Sequence, residues 1–263
     1  MSTDDELLAL HDEQVRGTIA DRLPPSWRAA WDGPVLYARS PQREMAFARD
    51  LGGVDGAELD ALIARVRERA AAAGRAVEWK TYGHDRPDLT SRLRAAGFVP
   101  EDVETVVIGA AADLTEAGGD VAGVTIRATT DISDLRRIAA MESSVWGADW
   151  SFLADDLHDR IEASPDDLAI FVAEAHGEVV SAAWLAAFPG TEFAALWGGS
   201  TLAAWRRKGI YRALVARRAR VAADRGIRYL MVEASDDSRP ILQRLGLRAV
   251  GTTTPWVWTP PAS

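Results

Sequence analysis

The chain has 263 residues, 48% of them hydrophobic, and a formal net charge of -9. This length predicts two domains of roughly 120 to 140 residues, each with enough apolar content for a buried core. The negative charge argues against nucleic acid and anionic membranes as partners, and the absence of cysteine excludes disulfides, thiolate metal sites and a cysteine nucleophile. Residues 1–12 are acidic, and no apolar run approaches the length of a membrane span, so we expect a cytoplasmic protein.

Helices and short strands alternate in the first half of the chain. The apolar spacing predicts helices at 4–20, 57–73 and 88–96, and strands at 35–37, 44–48, 76–82 and 104–108. Gly74 occupies the position expected for the C-terminal cap of the second helix. Residues 109–123 are rich in alanine, glycine and acidic side chains, which predicts a linker between the halves.

The second half continues the alternation and adds a hairpin. Predicted strands span 124–128, 168–175, 179–187, 194–198, 229–234 and 248–258. Predicted helices span 131–141, 152–163, 212–225 and 239–245, and a loop is predicted at 146–150. Residues 176–178 form the predicted turn of the hairpin.

The two halves repeat one another. A shift of about 152 residues, applied without a gap, places 61–65 on 213–217, Gly74 on Gly226 and Asp85 on Asp237. Alanine-rich helices match by chance often, but the shared order of helix, glycine, strand and helix favours two copies of one α/β unit.

A cationic glycine turn at 206–211, with the sequence RRKGIY, is the clearest candidate binding site. Arg206, Arg207 and Lys208 supply positive charge, Gly209 removes a side chain where a ligand approaches, and the following helix offers its first amides. Such a turn suits a phosphate or pyrophosphate, although cationic turns also precede ordinary helices.

The first copy lacks this cationic turn. At the same shift Arg207 falls opposite Asp55, and Ile210 falls opposite Glu58. Two carboxylates at this place would repel a phosphate. The sequence therefore predicts that the first copy is degenerate and has a structural role.

With this turn and the segment RPILQRLGL at 239–247, the second half resembles the GNAT superfamily of acyl-CoA-dependent N-acetyltransferases. The resemblance covers about 124–260, and the first half resembles a diverged copy, as in the tandem arrangement of mycothiol synthases. It implies an α/β (α+β) fold of two tandem GNAT-like domains, 1–115 and 124–263, each with a mixed, mostly antiparallel sheet flanked by helices. It also implies a monomer or homodimer.

The resemblance implies acetyl-CoA as co-substrate and no metal. The family's loop reads Arg or Gln, two variable residues, Gly, one variable residue, then Gly or Ala; Arg206 and Gly209 match it, and Tyr211 replaces the last small residue. The loop amides would hold the pyrophosphate, and the strand end would pair with the pantetheine arm. The residues implied are Ser200, Thr201, Leu202, Arg206, Arg207, Lys208, Gly209, Ile210, Tyr211, Arg212 and Ser235.

The usual general acid of the family is missing. Many members place a tyrosine four residues before the glycine of the last helix, here Gly246, and Leu242 occupies that position. Tyr211, Ser235, Ser238 and water are the remaining proton donors that we consider. Ser238 equally suits the cap of the helix that follows it.

Two carboxylates are candidates for the general base, each acting through water. Glu192 lies near the end of a predicted strand, and Glu233 lies within the strand that follows the cationic helix. The alternatives are a solvated charge for Glu192 and a salt-bridge partner for Glu233.

The acceptor pocket is predicted between the first two helices of the second half. There Trp146, Asp149 and Trp150 offer aromatic faces and a carboxylate to a cationic amine. A basic helix patch is most simply an exposed face, and one of its members is a candidate for the 3′-phosphate of coenzyme A. Its members are Arg212, Arg217, Arg218 and Arg220.

Together these features predict an acetyl-CoA-dependent N-acetyltransferase that transfers the acetyl group to a primary amine of a small molecule or peptide by direct attack. The alternatives are a non-catalytic acyl-CoA-binding module or sensor, favoured by Leu242, and a scaffold without ligand.

Overall fold

A computed structural model describes residues 2–24, 26–40 and 43–261 as a mixed α/β protein. Within these residues the chain forms seven α-helices and twelve strands. It divides into two compact units. The first contains residues up to Val107, Glu233–Pro240 and residues from Ala249 onward, and the second contains Ile108–Val232 and Ile241–Arg248.

The first unit is built mainly from the N-terminal half. Its elements are α1 (Asp4–His11), β1 (Arg28–Asp32), β2 (Val35–Arg39), β3 (Glu44–Phe47), α2 (Gly56–Ala73), β4 (Val77–Tyr82), α3 (Leu89–Ala95) and β5 (Val99–Pro100). Strand β6 (Glu104–Ala110) crosses the division between the units. A capping box between Thr3 and Glu6 starts α1, and Gly74 ends α2 with φ 65.

The last strand of the chain completes the sheet of the first unit. Strand β12 (Arg248–Trp258) pairs antiparallel with β4, in the order β1-β2-β3-β4-β12, and only β3 and β4 are parallel. Trp256 and Trp258 of β12 are buried in the same core cluster as Leu62 and Trp79. This core is therefore shared by residues far apart in the sequence.

The second unit holds the remaining elements. They are β7 (Thr125–Thr129), α4 (Ile132–Trp146), α5 (Leu153–Ala163), β8 (Leu168–Ala175), β9 (Glu178–Ala187), β10 (Phe193–Thr201), α6 (Ile210–Asp224), β11 (Tyr229–Ala234) and α7 (Arg239–Arg244). Its strand order is β11-β10-β9-β8-β7, with only β10 and β11 parallel. Ile210 and Leu214 of α6 pack on β8 and β9 in its core.

The secondary structure follows the predicted repeat. At a shift of about 152 residues, β4 falls on β11 residue for residue, and Gly74 falls on Gly226, which also ends a helix with positive φ. The α/β fold class and its mostly antiparallel sheets are confirmed. The domain bounds 1–115 and 124–263 stay a prediction.

Three local predictions were wrong. The single α-helix expected over 4–20 ends at His11, and a π-helical turn, Asp12–Arg16, follows it. The expected linker at 109–123 is packed rather than flexible: Ala111–Leu114 forms a 3₁₀ turn, and Ala111, Leu114 and Ala117 are buried. Trp146 is the last residue of α4 rather than part of a loop, because the left-handed Gly147 ends that helix.

Candidate active site

Strand β10 has two different edges. It pairs with β9 from Ala194 to Thr201, but its parallel ladder with β11 covers only Phe193 to Ala195. Beyond Ala195, no strand of the described residues pairs with β10 on the β11 side. This edge can accept an extended, amide-containing ligand as an added strand.

Two consecutive glycines form a bulge in this part of β10. Gly198 and Gly199 have φ of 67 and 84, and the register with β9 shifts between Gly198 and Ser200. A Cβ on Gly198 would lie 2.5 Å from Cζ3 of Trp184, and one on Gly199 would lie 2.9 Å from Cε2 of Tyr211. Both positions therefore require glycine, and the predicted site residue Tyr211 packs its ring on the bulge.

The cationic turn connects β10 to α6. Residues Ala203–Trp205 form a short 3₁₀ helix, Arg207 adopts a left-handed conformation with φ 62, and Gly209 precedes α6 with φ 91. A left-handed non-glycine residue is uncommon and marks a constrained loop. The N-cap residue Gly209 has no side chain to cap α6, and the partial positive charge at this end of the helix favours an anion.

The charged side chains of the turn are exposed. Arg206 donates from Nε to the carbonyl oxygen of Thr201 over 3.0 Å, and the Lys208 ammonium lies 4.1 Å from the ring centroid of Trp205. The amide of Leu202 donates to the carbonyl oxygen of Val180 over 2.9 Å, so this amide is not available to a ligand. The predicted cofactor residues 200–202 and 206–212 thus form one continuous segment.

A carboxylate that the sequence analysis missed lies beside Ser200. Glu142 of α4 is 2% exposed, and its Oε2 accepts hydrogen bonds from Ser200 Oγ over 2.6 Å and from Trp146 Nε1 over 2.8 Å. Burial raises the pKa of Glu142, and these two hydrogen bonds oppose the rise only partly. The available signal was a charged residue on the apolar stripe that Leu135 and Ile138 define.

The other residues of the predicted acceptor pocket are close to the end of α4. Trp146 is 62% exposed although its indole N–H is bonded. Trp150 stacks on Phe152 with ring centroids 5.6 Å apart. Asp149 accepts a hydrogen bond from the amide of Ser151 over 2.9 Å, which lowers its pKa.

The two candidate bases are both ion-paired. Glu192 lies 3.3 Å from the Arg228 guanidinium, and its side chain is 40% exposed. Glu233 is part of the first unit, where Lys80 contacts it over 2.5 Å and Tyr82 donates to it over 3.2 Å. The salt-bridge interpretation of Glu233 is therefore confirmed.

Two of the hydroxyl groups predicted as proton donors do not belong to the second unit. Ser235 and Ser238 belong to the first unit, with their Oγ atoms 3.4 Å apart. Leu242, at the position of the family's tyrosine, is fully buried in the second unit.

The basic patch on α6 is not a uniform exposed face. Arg218 is 1% exposed and donates to the carbonyl oxygens of Leu214, Trp184 and Trp197, and burial lowers its pKa to about 10. The other three arginines hold the segment that was expected to be a linker. Arg212 bonds Ala117, Arg217 bonds Asp120 and Arg220 bonds Glu116.

The comparisons with known proteins agree with this geometry. The model of the acetyltransferase (GNAT) family matches residues 134–247, which include the bulge, the cationic turn and α6. Residues 134–247 of the chain therefore match the GNAT acetyltransferase family, whose members transfer acyl groups from acyl-CoA. No curated protein sequence matches the chain.

Solved structures extend the likeness to the whole chain. A GCN5-related N-acetyltransferase from Kribbella flavida is 18% identical, with a TM-score of 0.70 over 100% of this chain and 97% of that one. A tandem GNAT protein from the clavulanic acid biosynthesis pathway is 13% identical, with a TM-score of 0.64 over 94% and 87%. An N-acetyltransferase of the same superfamily from Sphaerobacter thermophilus is 13% identical, with a TM-score of 0.62 over 88% and 75%. The chain thus has the fold of tandem GNAT proteins.

Among the described residues, no helix is both long and apolar enough to span a membrane.

Proposed function

We propose that the second unit binds acetyl-CoA and transfers its acetyl group to a primary amine by direct attack. One observation carries the proposal: the unpaired edge of β10 runs directly into a cationic turn and an uncapped helix N-terminus. An extended arm with amide groups suits the edge, and a pyrophosphate suits the turn. Acyl-CoA carries both groups in one molecule, an amide-containing arm and a pyrophosphate.

The pantetheine arm lies along β10 near Ser200 and Thr201, and Leu202 contacts it through its side chain. The pyrophosphate accepts hydrogen bonds from the first amides of α6, while Arg207 and Lys208 approach it from solvent. Lys208 leaves its contact with Trp205, a change that an exposed side chain makes at low cost. The Tyr211 ring packs on the bulge at Gly199, and the proposed contact to the pyrophosphate uses the backbone at this end of α6.

In the reaction, the neutral amine nitrogen attacks the thioester carbon and forms a tetrahedral intermediate. The C–S bond then breaks, the nitrogen loses its second proton, and the coenzyme A sulfur leaves as a thiol. An amide of the Gly198–Gly199 bulge stabilises the oxyanion, and positioning of the two substrates supplies most of the rate. The Tyr211 ring contacts the bulge at Gly199, and Tyr211, Glu192 and Ser238 stay predictions for proton transfer.

A non-catalytic acyl-CoA sensor is the second candidate. Leu242, fully buried where a tyrosine serves as general acid in many members, favours it. Such a protein would bind acetyl-CoA at the same turn and release no thiol when amines are added.

The first unit is proposed to bind no acyl-CoA. Its parallel pair β3 and β4 ends at Ala46 and Trp79, which corresponds to the place where β10 and β11 separate. Here Arg16 donates to the carbonyl oxygen of Ala48 over 2.8 Å and to Asp85 over 2.7 Å, and its guanidinium lies 3.9 Å from the Tyr82 ring centroid. A buried arginine of the N-terminal segment thus bridges the strand ends.

Calorimetry with acetyl-CoA and the full chain tests the binding site. The double variant Arg207→Glu, Lys208→Glu should bind at least about 100-fold more weakly, because two charge-assisted contacts become repulsive. The matched control Arg136→Glu, Arg244→Glu makes the same charge change at exposed positions and should bind like the wild type. Equal loss in both variants, or in neither, would rule out the turn as the phosphate site.

Thiol release from acetyl-CoA separates the enzyme from the sensor. A panel of polyamines, amino acids, aminoglycosides and peptides is offered to protein that has been shown to bind acetyl-CoA. Amine-dependent thiol release supports the transferase, and binding without thiol release across the panel favours the sensor.

A further inference from the structure

The strongest unexplained feature of the second unit is an unpaired oxygen of a buried carboxylate. Both hydrogen bonds to Glu142, from Ser200 and Trp146, reach Oε2. Oε1 is also buried and has no hydrogen-bond partner among the described residues. Since both donors are neutral, the charge of Glu142 has no cationic partner, an arrangement that is costly in a protein interior.

Other carboxylates of the second unit are satisfied differently. Asp134 receives both Arg127 and Arg137, and the hydrogen bonds from Arg127 hold its pKa well below the ordinary range. Glu174 is paired with the same two arginines, and Glu192 with Arg228. Among the described residues Glu142 therefore lacks the cation that these three carboxylates have, and a positively charged donor would suit Oε1.

The surroundings of Glu142 also favour a cation. The carboxylate lies one turn from the C-terminal end of α4, where the helix dipole places partial negative charge. Trp146, the last residue of that helix, is 62% exposed and offers an aromatic face beside the carboxylate. Ser200, which bonds Glu142 directly, belongs to the stretch of β10 assigned above to the acyl-carrying arm.

We propose that Glu142 and Trp146 form the subsite for a primary ammonium group of the acceptor, an inference that rests on the proposed function. The acceptor binds as a cation against the Trp146 ring and donates one N–H to Oε1 of Glu142. The carboxylate then takes that proton, and the neutral amine attacks the thioester. The proton leaves Glu142 for solvent after the acetyl group has been transferred.

Access to Oε1 requires a side-chain movement, because Oε1 has no exposed surface. In the proposed subsite the exposed Trp146 indole moves and gives up its hydrogen bonds to Glu142 and Ser200. Burial raises the pKa of Glu142, which brings it closer to that of an amine and makes the proton transfer less uphill.

Benzylamine, which combines a primary ammonium with an aromatic ring, is a direct probe. Calorimetry with the full chain should detect benzylamine binding, with benzyl alcohol bound at least about 10-fold more weakly. Glu142→Gln should abolish this difference, and Trp146→Ala should weaken benzylamine binding at least about 5-fold. Wild-type affinity should also fall as the pH is lowered from 7 to 4 and Glu142 becomes protonated, whereas the Glu142→Gln variant should not respond.

The control is Glu178→Gln, which removes an exposed carboxylate of the same unit and should bind benzylamine like the wild type. Acetyl-CoA binding, measured on every variant, reports whether the unit is folded and whether the proposed function stands. Normal acetyl-CoA binding with unchanged benzylamine affinity in Glu142→Gln, or with no benzylamine binding to the wild type at about 10 mM, would overturn the subsite alone. If Glu142→Gln fails to fold, Trp146→Ala and the wild-type pH profile decide: unchanged affinity in both overturns the subsite.

Discussion

Glu142 is buried and Glu233 is half-buried, but their neighbours give the two carboxylates opposite properties. Burial alone would raise the pKa of Glu233, yet the adjacent Lys80 ammonium brings it below its usual value. Glu142 has no such cation, so burial raises its pKa. Glu233 therefore serves as one half of an ion pair, whereas the raised pKa of Glu142 suits it to proton exchange.

The pKa of Glu142 has a consequence for stability that can be measured. Its pKa in the folded chain lies above the unfolded value of 4.5, so the folded state holds the proton to a higher pH. As the pH rises above 4.5, the unfolded state loses its proton first, and the stability of the wild type relative to Glu142→Gln should fall. Above the folded-state pKa the difference should become constant.

Urea midpoints of the wild type and Glu142→Gln between pH 4 and pH 8 check this expectation. Two parallel curves over that range would mean that Glu142 titrates as it does in the unfolded chain, and that its burial has no electrostatic cost.

At the scale of elements, the bulge in β10 positions the candidate site. It turns the strand where the ladder with β11 has ended, and the Trp184 and Tyr211 rings pack directly on its two glycines. Arg218 supports the same region from α6 by donating to the carbonyl oxygens of Trp184 and Trp197. Each of these contacts depends on the backbone path that Gly198 and Gly199 allow.

Gly198→Ala should therefore destabilise the protein by about 2–4 kcal/mol, because a β-carbon would clash with Trp184 and the positive φ disfavours alanine. Urea unfolding measures the loss. The matched control is Gly119→Ala, where a β-carbon meets nothing within 4 Å. This control should change stability by less than about 0.5 kcal/mol. An equal loss of stability at both positions would show that the bulge does not require glycine at 198.

The sequence predicts the regular elements well because their signals are local. Apolar spacing and the terminal glycines place α2, α6, β4 and β11 within about two residues. The prediction of a linker at 109–123 is wrong because composition does not reveal packing. A β-carbon on Gly118 would lie 2.5 Å from the amide nitrogen of Ala213, and arginines of α6 bind the segment. The sequence does not reveal Glu142 for a similar reason, because its hydrogen-bond partner Ser200 is 58 residues away.

At the scale of the whole molecule, the units do not follow the order of the sequence. Strand β12 comes from the end of the chain, yet Ala249 onward belongs to the first unit. Its tryptophans, Trp256 and Trp258, are 3% and 7% exposed in that unit's core. Two side chains of this size contribute several kcal/mol through burial, which is a large part of the stability of a small domain.

A fragment of residues 1–115 should consequently fail to fold alone, because it lacks the strand that pairs with β4 and two large core residues. Circular dichroism and limited proteolysis of the isolated fragment test this. Linking residues 249–261 to its C-terminus through a flexible linker should increase protection from proteolysis. A fragment 1–115 that unfolds cooperatively by itself would contradict the expected dependence on β12.

The position of β12 also sets a time order for folding in the cell. Thr81 and Thr253, which are bonded to each other in the first unit, are separated by 172 residues. At about 5–20 residues per second, a ribosome needs roughly 10 to 30 s to synthesise the intervening chain. During that interval the edge of β4 lacks its partner strand, so the N-terminal half emerges first but is completed last. A nascent chain of this protein should therefore depend on chaperones until β12 has been synthesised.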